Sequence, residues 1–235
     1  MDAMRTTLLT STVALCVLAL AGCATDRPGT AGPSTPAAPA SSGAPTPTAA
    51  STVATDVAPE VMLTEAAWTA VGAEAPRQDK DGVVEWRLPM ACAAGTPTEA
   101  LAMRTVTHGT GEFESSVGVQ QVAVLPDADT AVAEADRLAT ALGDCTGEPP
   151  TLYVVEPLAV GAQGIGLATD YYGASASAPL DQAMGTYVAI TRRGTAVTLV
   201  ALDGGEGTVG AARATVTGLA PQAWEQLCGF DAAGC

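Results

Sequence analysis

The spacing of apolar residues between positions 58 and 235 predicts a series of short strands and a few helices. Strands are expected where apolar and polar residues alternate or where short apolar runs lie between turn residues. They are predicted at 84–88, 100–107, 117–124, 152–155, 165–171, 187–190 and 195–202. A change of phase at Gln120-Gln121 indicates a bulge in the third strand. The last two strands flank Arg192-Arg193-Gly194 and therefore predict a hairpin.

Helical spacing appears in four places. Leu63, Ala67 and Val71 predict a short helix that stops at Gly72. The clearest helix begins at Pro126-Asp127 and ends at Gly143. Its apolar stripe consists of Ala131, Ala135, Leu138 and Leu142. A third stripe is formed by Val209, Ala212, Val216 and Leu219, and Pro221 is expected to open a last short helix. This order of elements predicts an α+β fold in which helices pack on one face of an antiparallel sheet.

The N-terminal segment has a different pattern. Thr6 to Leu20 is apolar or small and falls short of the roughly 20 residues that span a bilayer. Leu20-Ala21-Gly22-Cys23 follows and resembles a lipobox, in which small residues fit a signal peptidase and the cysteine sulfur takes a diacylglyceryl group. Residues 1–22 are therefore predicted to be a lipoprotein signal peptide, with Cys23 carrying acyl chains such as palmitate. The alternative is an ordinary secretory signal with an incidental cysteine.

The lipid would hold the chain on the extracytoplasmic side of the cell membrane, because more than one acyl chain gives stable attachment. Residues 23–57 are rich in Ala, Pro, Thr, Ser and Gly and contain no aromatic residue. Such a segment buries too little apolar surface to fold, so it is predicted to be a disordered linker. The remaining residues, 58–235, fit one domain.

Charge and cysteine content narrow the possible functions. The formal net charge is −15, which disfavours binding to nucleic acid. Setting Cys16 in the signal peptide and Cys23 aside leaves four of the six cysteines, and in an exported chain these predict two disulfides. Three pairings are open, and we favour Cys92–Cys145 with Cys228–Cys235, since the second pair closes a short C-terminal loop. No cysteine or histidine spacing indicates a metal site, and no cofactor is expected.

Few residues indicate chemistry. His108 is the only histidine, which excludes a two-histidine metal motif, and its polar neighbours favour a solvated loop position. Arg192 and Arg193 are likewise expected to be solvated. Asp170, Tyr171 and Tyr172 form a candidate ligand site, because adjacent tyrosines on a strand would place one ring on each face, one of them near an acid. Packing of both rings against the core and its rim is the alternative. The tryptophans, Trp68, Trp86 and Trp224, are expected to anchor the core.

The order of elements is similar to that of the PknH-like extracellular sensor domains of actinobacterial kinases and lipoproteins. The residues that carry the resemblance are a strand ending in Leu125-Pro126-Asp127, an Ala-rich helix with Cys145 just past it, and the Tyr187–Leu202 hairpin followed by the Val209–Leu219 helix. The resemblance implies a curved antiparallel sheet with helices, a disulfide framework and a cleft for an unidentified ligand. The terminal Cys228 and Cys235 pair departs from the kinase version, and no ligand residue can be carried over.

These features predict a non-catalytic ligand-binding or sensor lipoprotein on the outer face of the membrane. Its partner would be a small molecule, a glycan or another envelope protein. Two other functions remain open: an envelope hydrolase that uses carboxylates, and an accessory protein that binds a protein partner. A deep apolar pocket with converging polar groups would favour a small ligand. Two close carboxylates with one raised pKa would favour the enzyme, and an exposed apolar patch would favour a partner.

Overall fold

A computed structural model describes residues 53–71, 76–92, 94–109 and 115–235. Its centre is a sheet of seven antiparallel strands in the order β1-β2-β3-β7-β6-β5-β4. The strands are β1 (Arg77–Asp81), β2 (Ala102–His108), β3 (Val117–Val124), β4 (Leu152–Pro157), β5 (Ile165–Asp170), β6 (Gly185–Arg193) and β7 (Ala196–Asp203). The two α-helices are α1 (Ala128–Gly143) and α2 (Val209–Gln226). Short 3-10 helices lie at Pro59–Val61, Glu65–Val71, Met90–Cys92, Ala174–Ala176, Leu180–Gln182 and Leu227–Phe230. The predicted α+β class with an antiparallel sheet is confirmed.

The two α-helices lie on opposite faces of the sheet, so the prediction that helices pack on one face is wrong. In β6, Val188 and Ile190 belong to the same apolar cluster as α1, whereas Tyr187 and Ala189 belong to the cluster around α2. Successive side chains of a strand point to opposite faces. Both faces of β6 are thus buried. This explains why its apolar residues form an unbroken run, whereas a strand with one buried face would alternate apolar and polar residues.

Strand β3 contains no bulge. It pairs residue by residue with β7 from Val117 to Val124, without a break at the two glutamines. Both glutamine side chains are fully buried on opposite faces, where Gln120 Oε1 accepts a hydrogen bond from the Leu63 amide at 2.6 Å. The apparent change of phase therefore marks a central strand that is buried on both sides and carries two bonded polar side chains.

Residues 83–89 do not form the strand predicted at 84–88. The segment crosses the α1 face of the sheet without pairing in the ladder, and the strand next to the Gly82 turn is the polar β1 that precedes it. Trp86 is buried, and its Nε1 donates to Glu134 on α1 at 2.7 Å. The alternating pattern comes from an extended segment whose apolar side chains face the core. Its backbone forms hydrogen bonds to a side chain and does not pair with a neighbouring strand.

Helix α1 begins and ends as predicted, because the Asp127 carboxylate accepts the Thr130 amide at 2.7 Å and caps the first turn. Helix α2 differs from the prediction, since it runs through Pro221 as one helix. Its buried stripe continues across the proline, from Ala220 before it to Ala223 after it, so packing against the sheet outweighs the hydrogen bond that the proline removes. None of the helices in the described ranges is long and apolar enough to cross a bilayer.

The favoured cysteine pairing is confirmed. Cys92 is joined to Cys145 with their Cα atoms 4.3 Å apart, and Cys228 is joined to Cys235 with a Cα separation of 4.8 Å. Packing contacts begin at the end of the predicted linker, where Val57 is buried and its carbonyl accepts Arg104 Nε at 2.8 Å. The predicted signal peptide and Cys23 lie outside the described residues.

Candidate functional site

Asp170 ends β5, and Tyr171 and Tyr172 lie in the turn that follows rather than on the strand. The buried Asp170 carboxylate accepts the Ser175 amide at 2.7 Å and the Tyr172 amide at 3.1 Å. Burial pushes the pKa of Asp170 up, but these hydrogen bonds outweigh it, and the pKa is lowered. Both carboxylate oxygens thus organise the turn. The two rings meet edge to face at 6.4 Å, with Tyr172 exposed. Ligand binding at these residues stays a prediction.

His108 is buried at the end of β2, which makes the solvated loop assignment wrong. Its ring stacks on Trp68 with the centroids 5.3 Å apart, and its Nε2 has no hydrogen-bond partner. Burial lowers the pKa of His108, and the charge of Arg77 lowers it further, against an opposing effect of Glu65. The residue is therefore a core aromatic that packs against Trp68.

Arg192 and Arg193 are also bound rather than solvated. Arg193 lies over the Trp224 ring at 4.4 Å and pairs with Asp231 at 3.5 Å. On the neighbouring residue, Arg192 Nε donates to Gln163 Oε1 at 2.6 Å. The hairpin tip is thereby tied to the C-terminal segment on one side and to the β4–β5 loop on the other.

The β4–β5 loop borders a groove between α1 and the β4–β5 hairpin, which we call the α1–β4 groove. Its volume is about 380 Å³. The apolar part of its lining consists of Ala135, Ala139, Val155, Pro157 and Ile165. The polar side chains at its rim are Asp136 and Gln163, which are joined by a hydrogen bond of 2.7 Å from Gln163 Nε2 to Asp136 Oδ1. Because the Gln163 amide oxygen also accepts a hydrogen bond from Arg192, a chain of hydrogen bonds holds the rim side chains in place.

Glu156 also borders the groove, but its carboxylate lies on the opposite face of the sheet. There it accepts the Tyr187 hydroxyl at 2.5 Å and the Arg213 guanidinium at 2.9 and 3.1 Å. Burial raises the pKa of Tyr187, and the bond to Glu156 raises it further. Asp136 is consequently the one carboxylate that the described part of the chain presents at this groove, so the carboxylate pair that a hydrolase would need is not assembled here.

The outer edge of the sheet beside the groove is apolar. Leu152, Val154 and Val155 of β4 are exposed to 38%, 37% and 39%. Val155 lines the groove, while Leu152 and Val154 point to the other face because side chains alternate along a strand. The opposite edge, β1, carries the sequence RQDKD, and charged side chains of this kind protect a free edge from pairing with other strands.

Sequence reasoning did not find the α1–β4 groove, and its residues explain why. Ala139, Val155 and Gln163 belong to no motif, and their juxtaposition depends on how the β4–β5 hairpin folds beside α1. In the described ranges, no three metal-ligating side chains come together. The groove can therefore be recognised only from the folded chain, as a site for apolar contact and directed hydrogen bonds.

Comparison with known proteins gives a similarity to a solved structure. No family model and no curated protein matches the chain. Among solved structures, the chain is similar to the extracellular domain of PknH from Mycobacterium tuberculosis, with 15% sequence identity and a TM-score of 0.49. The similarity covers 70% of this chain and 93% of that chain. At this identity, no residue role is transferred from that domain to this chain.

Proposed function

We propose that this protein is a cell-envelope lipoprotein whose domain binds a ligand without catalysing a reaction, as a sensor on the outer face of the membrane. The proposed site is the α1–β4 groove. Its ligand is a small molecule with a mainly apolar body and a hydrogen-bonding group that meets Asp136 and Gln163. The lipid anchor on Cys23 holds the domain at the membrane.

The observation that carries the proposal is the composition of the groove. Small-molecule sites are concave and mostly apolar, with a few placed polar groups that fix the orientation of the ligand. The groove has an apolar floor and a polar rim in which Gln163 is bonded at both ends of its amide. A rim that is already ordered binds at a smaller entropic cost, because little side-chain freedom remains to be lost.

The extracytoplasmic location is supported by two features of the chain. The Leu20-Ala21-Gly22-Cys23 sequence has the residue types that lipoprotein processing needs. Two disulfides lie in the folded part, and such bonds persist in oxidising compartments.

Filling the groove tests the proposal. Ala139 is half-buried at the floor, so Ala139→Trp would occupy the groove from α1. Ala133→Trp is the matched control, because Ala133 is exposed on the same helix and does not line the groove. Nile red, an uncharged dye that fluoresces in apolar sites, serves as the probe.

We expect wild type and Ala133→Trp to bind Nile red with equal affinity and Ala139→Trp to bind about tenfold more weakly or worse, a loss of 1.4 kcal/mol or more. Equal binding by wild type and Ala139→Trp would place the dye elsewhere. That result would remove the groove as the ligand site.

A second candidate function, binding of a protein partner, is favoured by the exposed apolar edge β4. Val154→Lys changes this edge on the face away from the groove, whereas Ala139→Trp changes the groove and leaves the edge intact. Chemical cross-linking in the host would show an adduct that is lost only in Val154→Lys if the edge is the functional surface. Loss only in Ala139→Trp would assign the partner to the groove instead.

A further inference from the structure

A second cleft lies on the α1 face of the sheet, at the β1–β2 edge and beneath residues 83–89. We call it the β1–β2 cleft, and its volume is about 420 Å³. The sheet contributes Gln78, Lys80, Thr105, Thr107 and Gln121. Residues 83–89, which we call the crossing segment, contribute Val84, Glu85 and Arg87. Most of the lining side chains are polar, in contrast to the apolar floor of the α1–β4 groove.

Gln121 fixes the shape of the β1–β2 cleft. Its side chain is fully buried, and its Nε2 donates to the Glu85 carbonyl and to Thr105 Oγ1, both at 3.1 Å. Its Oε1 accepts the Arg87 amide at 2.6 Å. One buried amide thus binds the floor and the crossing segment together, so the cleft is a built feature of the fold.

The unpaired positive charge of the described residues is concentrated here. Lys80 and Arg87 line the cleft, and within the described ranges they are the two cationic side chains without a hydrogen-bond or ion-pair partner. The partnered cations are Arg77, Arg104, Arg137, Arg192, Arg193 and Arg213. In a chain with a net charge of −15, this cleft is therefore a place where positive charge is left unpaired.

The anions of β1 do not neutralise Lys80. Alternation along the strand places Asp79 and Asp81 on the other face, where Arg104 pairs with them at 2.7 and 2.6 Å. Among the described residues, Glu85 is the one acid that lines the cleft. The cleft therefore combines two cations, one acid and several hydroxyl and amide groups.

We propose that the β1–β2 cleft binds a small ligand with an anionic group on a hydroxyl-bearing body, such as a sugar phosphate or a sugar acid. Lys80 and Arg87 contact the anion, for which the planar guanidinium offers two parallel donors. Gln78 and Thr107 bond the hydroxyl groups of the body. The volume suits a ligand of monosaccharide size, and binding here is independent of the α1–β4 groove.

Titration calorimetry of the full-length protein tests this site. The probes are glucose 6-phosphate, glucuronate, inorganic phosphate and glucose. We expect one or both anionic sugars to bind more tightly than either phosphate or glucose, and their binding to weaken as salt is added. Equal binding of phosphate would remove the role of the sugar body, and equal binding of glucose would remove that of the anion.

Four exposed side chains provide the variants. Lys80→Gln and Arg87→Gln should each weaken binding about tenfold, whereas Glu85→Gln should strengthen it about threefold by removing the acid of the cleft. Glu225→Gln on α2 changes the net charge by the same amount on the opposite face and should leave affinity unchanged. The proposal is overturned if neither anionic sugar binds, if both Lys80→Gln and Arg87→Gln bind as wild type does, or if Glu225→Gln matches Glu85→Gln.

Discussion

Residues that look solvated in the sequence are buried at several positions, and His108 illustrates the cause. Its polar neighbours suggested a loop, yet β2 extends to His108 and pairs it with Gly118 on β3. The ring of Trp68 packs directly over Gly118, where a Cβ would collide with it. The environment of His108 is therefore determined by a residue 40 positions away, which local sequence cannot reveal.

The buried histidine predicts that stability depends on pH. Because the pKa of His108 in the folded chain lies below its usual 6.5, the unfolded chain binds the proton first as the pH falls. The free energy of unfolding should therefore decrease as the pH drops below 6.5 and level off once the folded protein is also protonated. Urea unfolding between about pH 8 and pH 5 measures the effect.

His108→Phe is the control for this prediction, since it keeps an aromatic ring beside Trp68 and removes the only histidine of the chain. The variant should show a flat stability profile over the same pH range. A slope that persists in His108→Phe would assign the pH dependence to other groups.

At the scale of elements, helix α1 and the β6–β7 hairpin were predictable because local signals define them. Asp127 caps the helix, and Gly194 takes a positive φ of 56° in the hairpin turn. The errors arose where tertiary contacts override a local pattern. Pro221 stays within α2 because the helix packs on the sheet. Residues 84–88 do not pair with a strand because the Gln121 side chain forms hydrogen bonds with their backbone.

The crossing segment 83–89 should open when Gln121 is replaced. Gln121→Leu removes the side-chain bonds to Glu85 and Arg87 and should cost about 1–3 kcal/mol of folding free energy, because buried hydrogen-bonding groups lose their partner. Hydrogen–deuterium exchange should increase in residues 84–88 while α2 stays protected. Gln78→Leu, on the exposed edge strand, is the matched control and should leave exchange unchanged. Uniform exchange changes in Gln121→Leu would contradict a local role.

At the scale of the whole molecule, the two apolar layers on either side of the sheet define the architecture. The Cys92–Cys145 disulfide joins the 3-10 helix that follows the crossing segment to the residues just after α1, and the Cys228–Cys235 disulfide closes the C-terminal segment beyond α2. The spacing of residues in the sequence predicted the fold class and both disulfides. It missed the two-sided arrangement and both clefts, since these depend on which face each strand residue takes.

The two disulfides should contribute unequally to stability. A cross-link restricts the unfolded chain more when it closes a longer loop, and the sequence separations are 53 and 7 residues. Replacing both Cys92 and Cys145 with Ser should cost about 4 kcal/mol, and replacing Cys228 and Cys235 about 2.5 kcal/mol, in the loop-entropy description. Denaturant unfolding compares the two double variants. An equal or reversed loss would contradict this ranking.

The proposed function has two parts, a lipid anchor on Cys23 and a ligand in the α1–β4 groove. Native mass spectrometry of the protein extracted from its host membrane tests both parts in one measurement. We expect a chain that begins at an acylated Cys23 and carries a noncovalent ligand, with the ligand absent from Ala139→Trp and present in Ala133→Trp. A chain that begins at residue 1, or wild-type and Ala139→Trp proteins with the same bound mass or with none, would contradict it.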